Sequence, residues 1–318
     1  FIMSGATGVT FPMNTTTEKT YIGIPTVNII STGIVLVSNA FGLVVNTLYL
    51  WVLGFRMRRS ISTTWFFHLM LSNFLQTLIM PFIAVYLITD PRWVMGTFLC
   101  KSMHSLFSAV MYSSVFTLTV ISLDRYCLVL HPVWYRAHMN NRYASAICIS
   151  IWGLAILFCS PYFAFRQTRL LEDNKTTICY NDYTLSGSIQ EKSVRWVMYI
   201  FRLIFGFLLP FAVITVCYVR IALRMKKANL ARSSKPYKIL FIAVISFFVS
   251  WFPYHLWYGI TTAEDSVHKT AVDIMMVLTA VFNSFNYCFT PLLYLFTAEN
   301  FKEALQKSVL SLIESVFN

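Results

Sequence analysis

Charge is what this chain has least of. Of its 318 residues only 12% are Asp, Glu, Lys or Arg, while 57% are hydrophobic, and a soluble domain carries about twice that charged fraction. So few ionisable groups cannot cover the surface of a water-soluble protein of this length. Acids are scarcest inside the apolar runs, where only Asp124 and Asp273 fall, each near an end. Proton and cation transporters place carboxylates near the bilayer midplane, and transporter sites favour paired, Gly- or Pro-broken short segments in the two halves. The sequence has neither. It also lacks metal-ligand spacing, a nucleophile elbow and a Gly-rich phosphate loop, so it implies no enzyme, metal or cofactor. The six His are scattered, and His68 and His104 read as packed side chains rather than catalysts. No internal repeat or low-complexity tract occurs. Phe1–Thr20 is polar and Thr-rich, without the basic and apolar regions of a cleavable signal peptide.

What the chain does have is apolar length. Runs of spanning length occupy Val27–Leu53, Ser62–Leu87, Thr97–Leu130, Tyr143–Phe163, Val194–Leu223, Tyr237–Thr261 and Ala271–Phe296. A helix needs about 20 apolar residues to cross a bilayer, so seven spans and their loops nearly fill the chain. Lipid offers the backbone no partners, so each span is expected to be helical. The expected architecture is an all-α membrane protein with three parts. Residues 1–26 form an extracellular N-terminal segment, 27–296 a seven-transmembrane bundle, and 297–318 a short helix 8 with the C-terminal end. In that last part Phe301, Ala304, Leu305, Val309 and Leu312 alternate with Lys302 and Lys307, the pattern of an amphipathic helix on a membrane face. A frayed tail is the alternative.

The net charge of +12 does not point to nucleic acid, because the basic residues sit in short loops between apolar runs rather than along one exposed face. Their distribution orients the bundle instead. Arg56, Arg58, Arg59, Arg136, Arg142, Arg224, Lys226, Lys227, Arg232 and Lys235 collect on one side. On the other, Arg92, Arg169 and Lys175 are offset by Asp90, Glu172, Asp173, Glu264 and Asp265. This places the N-terminus outside and the C-terminus in the cytoplasm of a multi-pass plasma-membrane protein. The sequons at Asn14 and Asn174 then both lie outside, where N-glycans are added. Cys100, at the top of the third span, and Cys179, in the long outer loop, share the oxidising compartment, where a bridge would pin the loop over the bundle mouth. Two unpaired outer thiols are the alternative. The other five Cys lie within spans or at their cytoplasmic ends and read as reduced packing residues.

Asp124-Arg125-Tyr126, at the inner end of the third span, resembles the DRY motif of rhodopsin-like (class A) G-protein-coupled receptors. Trp251-Phe252-Pro253 is similar to their CWxP switch, with Ser250 in place of Cys, and Pro291-Leu292-Leu293-Tyr294 to the end of NPxxY. Asn46, Trp152, Pro210 and Tyr218 match further landmarks of that family, in order and in the expected spans. Within it, several strings look like the chemoattractant group of formyl-peptide, chemerin and anaphylatoxin receptors. They are Trp93-Val94-Met95-Gly96, His131-Pro132-Val133-Trp134, Phe165-Arg166-Gln167-Thr168, Arg202 eight residues before Pro210, and Trp251 to His255.

The resemblance implies a switch formed by Asp124, Arg125, Tyr126, Tyr218, Trp251, Pro253, Pro291 and Tyr294. It implies coupling to a heterotrimeric G protein, of inhibitory type by the group resemblance, with arrestin as a further partner. It also implies a sodium pocket that is altered here. Asn73 stands where the family has Asp, and Thr290 where it has Asn or Asp, beside Ser114 and Asn286. Phe107 replaces the aspartate of amine receptors. Arg195, Tyr199 and Arg202 share one helical face at i, i+4 and i+7, and an arginine at membrane depth needs an anion or a polar cavity. Arg202 is therefore expected to grip an anionic peptide or lipid ligand, with His104, Phe107, Met111, Trp251 and His255 lining the pocket. The alternative is a structural or outward-snorkelling arginine. The competing function is a non-signalling decoy or scavenger on the same fold.

Overall fold

The computed structural model describes residues 26–89, 92–187, 190–228, 235–263 and 269–295. Its helices are α1 (Thr26–Trp51, continued by a π-turn Val52–Arg56), α2 (Ile61–Thr89), α3 (Gly96–Leu130), α4 (Pro132–His138), α5 (Asn141–Phe165), α6 (Glu191–Leu203), α7 (Leu209–Lys227), α8 (Lys235–Ala263) and α9 (Lys269–Leu295). A π-turn over Ile204–Leu208 joins α6 and α7 into one span, and α4 is a short interhelical turn. Among the described residues seven helical segments of membrane-spanning length result, as the apolar runs predict, with boundaries moved by a few residues. The proposed helix 8 over 297–318 and the sequon at Asn14 lie outside the described residues.

Burial shows how each helix sits. On α5 the buried residues are Ala144, Cys148, Ile151, Ala155, Cys159 and Tyr162, a single stripe at steps of three and four, while Ile149 and Ile156 on the other faces are 70% and 60% exposed. Such surfaces suit lipid and not water. α3 is buried along most of its length and forms the centre of the bundle. Because lipid tails are as apolar as the side chains, polar bonds tie the helices together. Asn46 Nδ2 on α1 donates to the carbonyls of Gly42, 2.8 Å away, and of Tyr287 on α9, 3.0 Å away. Gly42 is needed there, since a Cβ would lie 3.0 Å from the Tyr287 ring. Ser72 and Ser113 link α2 to α3 at 2.9 Å. Trp152 Nε1 on α5 donates to His68 Nδ1 on α2 at 3.2 Å, so His68 is a packed histidine as expected.

The sequence reading had no strand, but the loop after α5 is a hairpin of β1 (Arg166–Leu170) and β2 (Thr177–Asn181), antiparallel, with Thr168 opposite Cys179. Its tip is an Asx-type turn. Asp173 accepts from the amides of Lys175 and Thr176 and from the Thr176 hydroxyl at 2.6–2.9 Å, and Asn174, the sequon residue, has φ +51°. These bonds hold the Asp173 carboxyl down at about 2, led by that from the Thr176 hydroxyl. The Cys100–Cys179 disulfide, with Cα atoms 5.8 Å apart, fastens β2 to the start of α3. Thr97 and Thr168 add a hydroxyl pair at 2.6 Å. The hairpin thus folds across one end of the bundle, here called the disulfide end; the opposite end carries Arg56, Arg58, Arg59, Arg136 and Arg142, all exposed.

Candidate functional site

At the disulfide end the helix holding Arg202 is locally rebuilt. Pro210 has no N–H to offer the preceding turn, and the π-turn absorbs the mismatch: the Leu209 amide reaches the carbonyl of Ile204, five residues back. Such bulges occur mostly inside α-helices and often at functional sites. Gly206 lies in the bulge, where a Cβ would come within 3.0 Å of the Met111 side chain and 3.6 Å of His255. This is where α3, α6 and α8 converge.

Arg202 is 3% exposed and is held in a cage of hydroxyls and rings. Its Nε donates to Tyr162 Oη at 3.0 Å, and its two terminal nitrogens donate to Tyr254 Oη and Ser108 Oγ. The guanidinium also lies 4.1, 5.5 and 4.9 Å from the ring centres of Tyr162, Tyr254 and Tyr258, a cation–π arrangement. No carboxylate among the described residues lies within ion-pair distance of it. The sequence explains the lack, since no Asp or Glu occurs from Lys192 to Ala263. Outward snorkelling is not what this geometry shows.

A second buried cation stands beside it. Arg166, at the start of β1, is 5% exposed, and its Nε and Nη1 have no hydrogen-bond partner. Burial pushes its guanidinium down to about 10, and the neighbouring Arg202 cation acts in the same direction. Sequence reasoning placed Arg166 only inside a family-like string and gave it no role. The signal available was its position as the first polar residue after α5 in a stretch without an acid from Arg125 to Leu171. Arg195 differs from both, because Glu191, one turn earlier, pairs with it at 3.0 Å. Tyr199 stacks on Tyr258 at 5.9 Å and its hydroxyl fills the space over Gly259.

Of the other expected pocket residues, Phe107 packs 5.5 Å from Trp251 and 5.6 Å from Tyr254. His255 is buried with both ring nitrogens unpartnered, and its ring lies 5.1 Å from Phe207. His104 lies on α3 near both arginines. Trp251, 1% exposed, closes the floor. Below it Asn73, Ser114 and Asn286 are all buried in the bundle centre; the side chain of Thr290 lies outside those described. Pro253 and Pro291 lie inside α8 and α9, while Tyr294 likewise lies outside the described side chains.

At the other end Asp124 is the hub. Its carboxylate lies 3.6 Å from Arg125 Nε and accepts from Tyr135 Oη of α4 at 2.6 Å. Arg125 also donates to Ser62 Oγ of α2 at 2.6 Å. Burial and the bond to Asp124 both push the Tyr135 phenol up, which keeps it a neutral donor. Asp124 is thus the counter-charge of Arg125, as expected, and sequence reasoning missed Ser62 and Tyr135. Tyr126 packs 5.9 Å from His131, and Tyr218 is buried against Phe241 at 5.3 Å.

A membrane bundle with a caged cation at one end and an Asp–Arg lock at the other matches known proteins throughout. The model of the 7 transmembrane receptor (rhodopsin family) matches residues 45–294. The chain belongs to that family. Probable G-protein coupled receptor 33 of Pan troglodytes is 42% identical over 289 residues, covering 89% of this chain and 86% of that protein. Its Mus musculus counterpart is 40% identical over 325 residues, covering 100% and 94%. Chemerin-like receptor 1 of Bos taurus is 33% identical over 277 residues, covering 82% and 75%. The rhodopsin-family assignment and the resemblance to the chemoattractant group are therefore borne out, and this receptor is not an enzyme.

Proposed function

We propose that this rhodopsin-family receptor senses an anionic peptide or lipid at its disulfide end and couples at the opposite end to a heterotrimeric G protein of the inhibitory type, with arrestin as a second partner. In this reading the disulfide end faces outside a plasma membrane and the arginine-rich end faces the cytoplasm. The observation that carries it is the pair of buried, acid-free cations Arg166 and Arg202. Taking a charge out of water costs several kcal/mol even after relaxation, and the hydroxyls and rings that offset this cost at Arg202 carry no opposite charge. An anionic group entering the mouth supplies the missing counter-charge and makes charge-assisted bonds with planar guanidiniums. Binding to one arrangement of the bundle in preference to another then shifts its equilibrium. Trp251 repacks, the α8 end away from the ligand swings outward, and Arg125 leaves Asp124 for Tyr218 and Tyr294, opening a groove for a G-protein helix.

The test is nucleotide exchange on purified inhibitory G protein with receptor in lipid, across carboxylate-bearing chemoattractant peptides and lipids and their amides or methyl esters. Acids should stimulate exchange and their neutral forms should be far weaker. Equal potency of both forms refutes anion sensing. Acid binding without exchange would instead identify a decoy.

A further inference from the structure

The hairpin over the disulfide end brings in a cation that meets no acid. Arg166 opens β1 and is 5% exposed, and its Nε and Nη1 have no hydrogen-bond partner. Arg202 differs, since each of its three nitrogens already has an oxygen acceptor. The described acids of this end are engaged or placed elsewhere. Asp173 closes the hairpin tip, Glu172 stands exposed beside it, and Glu191 pairs with Arg195. Asp182, whose amide bonds to the Phe165 carbonyl next to Arg166, gives its carboxylate to Thr184 and Tyr180.

A buried lysine or histidine escapes its desolvation cost by becoming neutral, but a guanidinium does not. Even lowered by burial to about 10, Arg166 stays charged at neutral pH. Around it stand the phenols of Tyr86, Tyr183 and Tyr258 and the cation of Arg202, with His104 of α3 nearby. That shell is rich in N–H and O–H donors and holds no negative charge. We infer that Arg166 is the centre of a binding site for a small inorganic anion, chloride at physiological salt, in the ligand-free receptor. Guanidinium N–H and phenol O–H groups both donate to a halide, and an opposite charge is what a buried cation needs. A spherical ion asks for donors but for no parallel pair of bonds, as a carboxylate does. One wall of the site is loop, because Tyr183 belongs to the short turn Tyr183–Ser186, so an ion entering from the mouth displaces a phenol and no span. The ion offsets both arginines at rest and leaves when an acid arrives, so chloride sets the threshold for acid binding. That last step rests on the acid-sensing reading above; the resting site does not.

The experiment needs no agonist. The full chain in nanodiscs is unfolded thermally in sodium chloride, bromide or gluconate at equal ionic strength, about 0.15 M. An ion that binds only the folded state adds stability as the logarithm of its occupancy. Tm should therefore lie a few degrees higher in chloride than in gluconate, which is too large to enter. Bromide, which sheds its water more readily, should match or exceed chloride. In parallel, the chloride NMR line should broaden with receptor present and sharpen again when bromide is added. Arg166→Met should remove both effects, whereas Arg166→Lys, which keeps the charge, should keep them. Arg202→Met should retain most of the halide shift. Equal Tm in chloride and gluconate, or a halide shift that survives Arg166→Met, would overturn the site. The chloride line is read on the unaltered chain, so a variant that fails to fold leaves the test intact, and an unbroadened line there would also overturn it. Acetate, the smallest probe that carries the carboxylate charge with a methyl group, should displace the bound chloride, and acetamide should not. Displacement by neither would leave the halide site standing and count against acid sensing instead.

Discussion

Replacing Arg202 by methionine separates a ligand-reading cation from a structural one. In the free receptor two sets of terms oppose each other. A buried charge without a counter-ion costs several kcal/mol. Against it stand three hydrogen bonds to Tyr162, Tyr254 and Ser108, worth about 1.5–3 kcal/mol each when one partner is charged, and contacts with three rings, worth about 0.5–2 kcal/mol each. Methionine removes the desolvation cost together with the compensating bonds and keeps most of the volume. The ligand-free receptor should therefore change in stability by no more than ~1 kcal/mol, a shift of a few degrees in Tm.

The bound state responds differently. Truncating one partner of a buried, hydrogen-bonded charge pair costs about 2–5 kcal/mol, so affinity for an acid ligand should fall roughly 30-fold or more. Its amide loses only neutral hydrogen bonds, about 1 kcal/mol, and should fall less than tenfold. Arg166→Met should behave alike, and the double variant should lose less than the sum, because the two arginines act on one anion. The assay is competition binding of an acid and its amide on purified receptor, alongside thermal unfolding of the free protein. Equal losses for acid and amide, or a large drop in the stability of the free receptor, would refute the reasoning and make Arg202 a structural residue.

Arg125→Ala should abolish G-protein nucleotide exchange while surface expression, measured on intact cells, survives; retained exchange would contradict the proposed switch. Cys179→Ser should free the hairpin from α3 and reduce ligand binding or surface delivery, and thiol labelling that finds both sulfurs free in the native receptor would exclude the bridge. Agonist affinity should be the same in sodium and choline chloride at equal ionic strength, because Asn73 offers a cation a dipole and no net charge; Asn73→Asp with Thr290→Asn should introduce a sodium-specific loss. At the hairpin tip the folded Asp173 carboxyl is depressed to about 2, so its contribution is full above the ordinary carboxylate value and is lost as pH falls through about 2. Amide protection of Lys175 and Thr176 should hold down to pH 4 and fade towards pH 2, and loss already at pH 5 would contradict the turn.

How far the sequence reached depends on the range of the interaction. The spans were legible because apolar length is a local property, and lipid turns it into helix wherever it occurs. The Asp124–Arg125 pair was legible for the same reason, its two members being neighbours in the chain. Ser62 and Tyr135 were not, because they reach that pair from α2 and α4, and only the packing of three segments brings them there. Arg202 stood out in the sequence because an arginine at membrane depth needs an anion or a polar cavity, but its three tyrosines come from α5 and α8 and left no mark near it in the sequence.

Arg166 is the most instructive omission. By charge counting it resembles Arg169 and Lys175, all cations of the loop at the disulfide end with acids nearby in the sequence. What distinguishes it is that the disulfide to Cys179 folds the hairpin inward, so that β1 begins buried and ends exposed. Arg169 ends up over the Tyr180 ring at 5.1 Å, while Arg166 is carried towards Arg202. Two like charges drawn together in a dry site oppose folding unless something of the opposite sign is expected there. The covalent bridge fixes the loop and so helps hold them in place without that ion. The same bridge that covers the mouth therefore helps create the electrostatic demand that an anionic ligand would satisfy, and reducing it should weaken acid binding far more than binding of the amide.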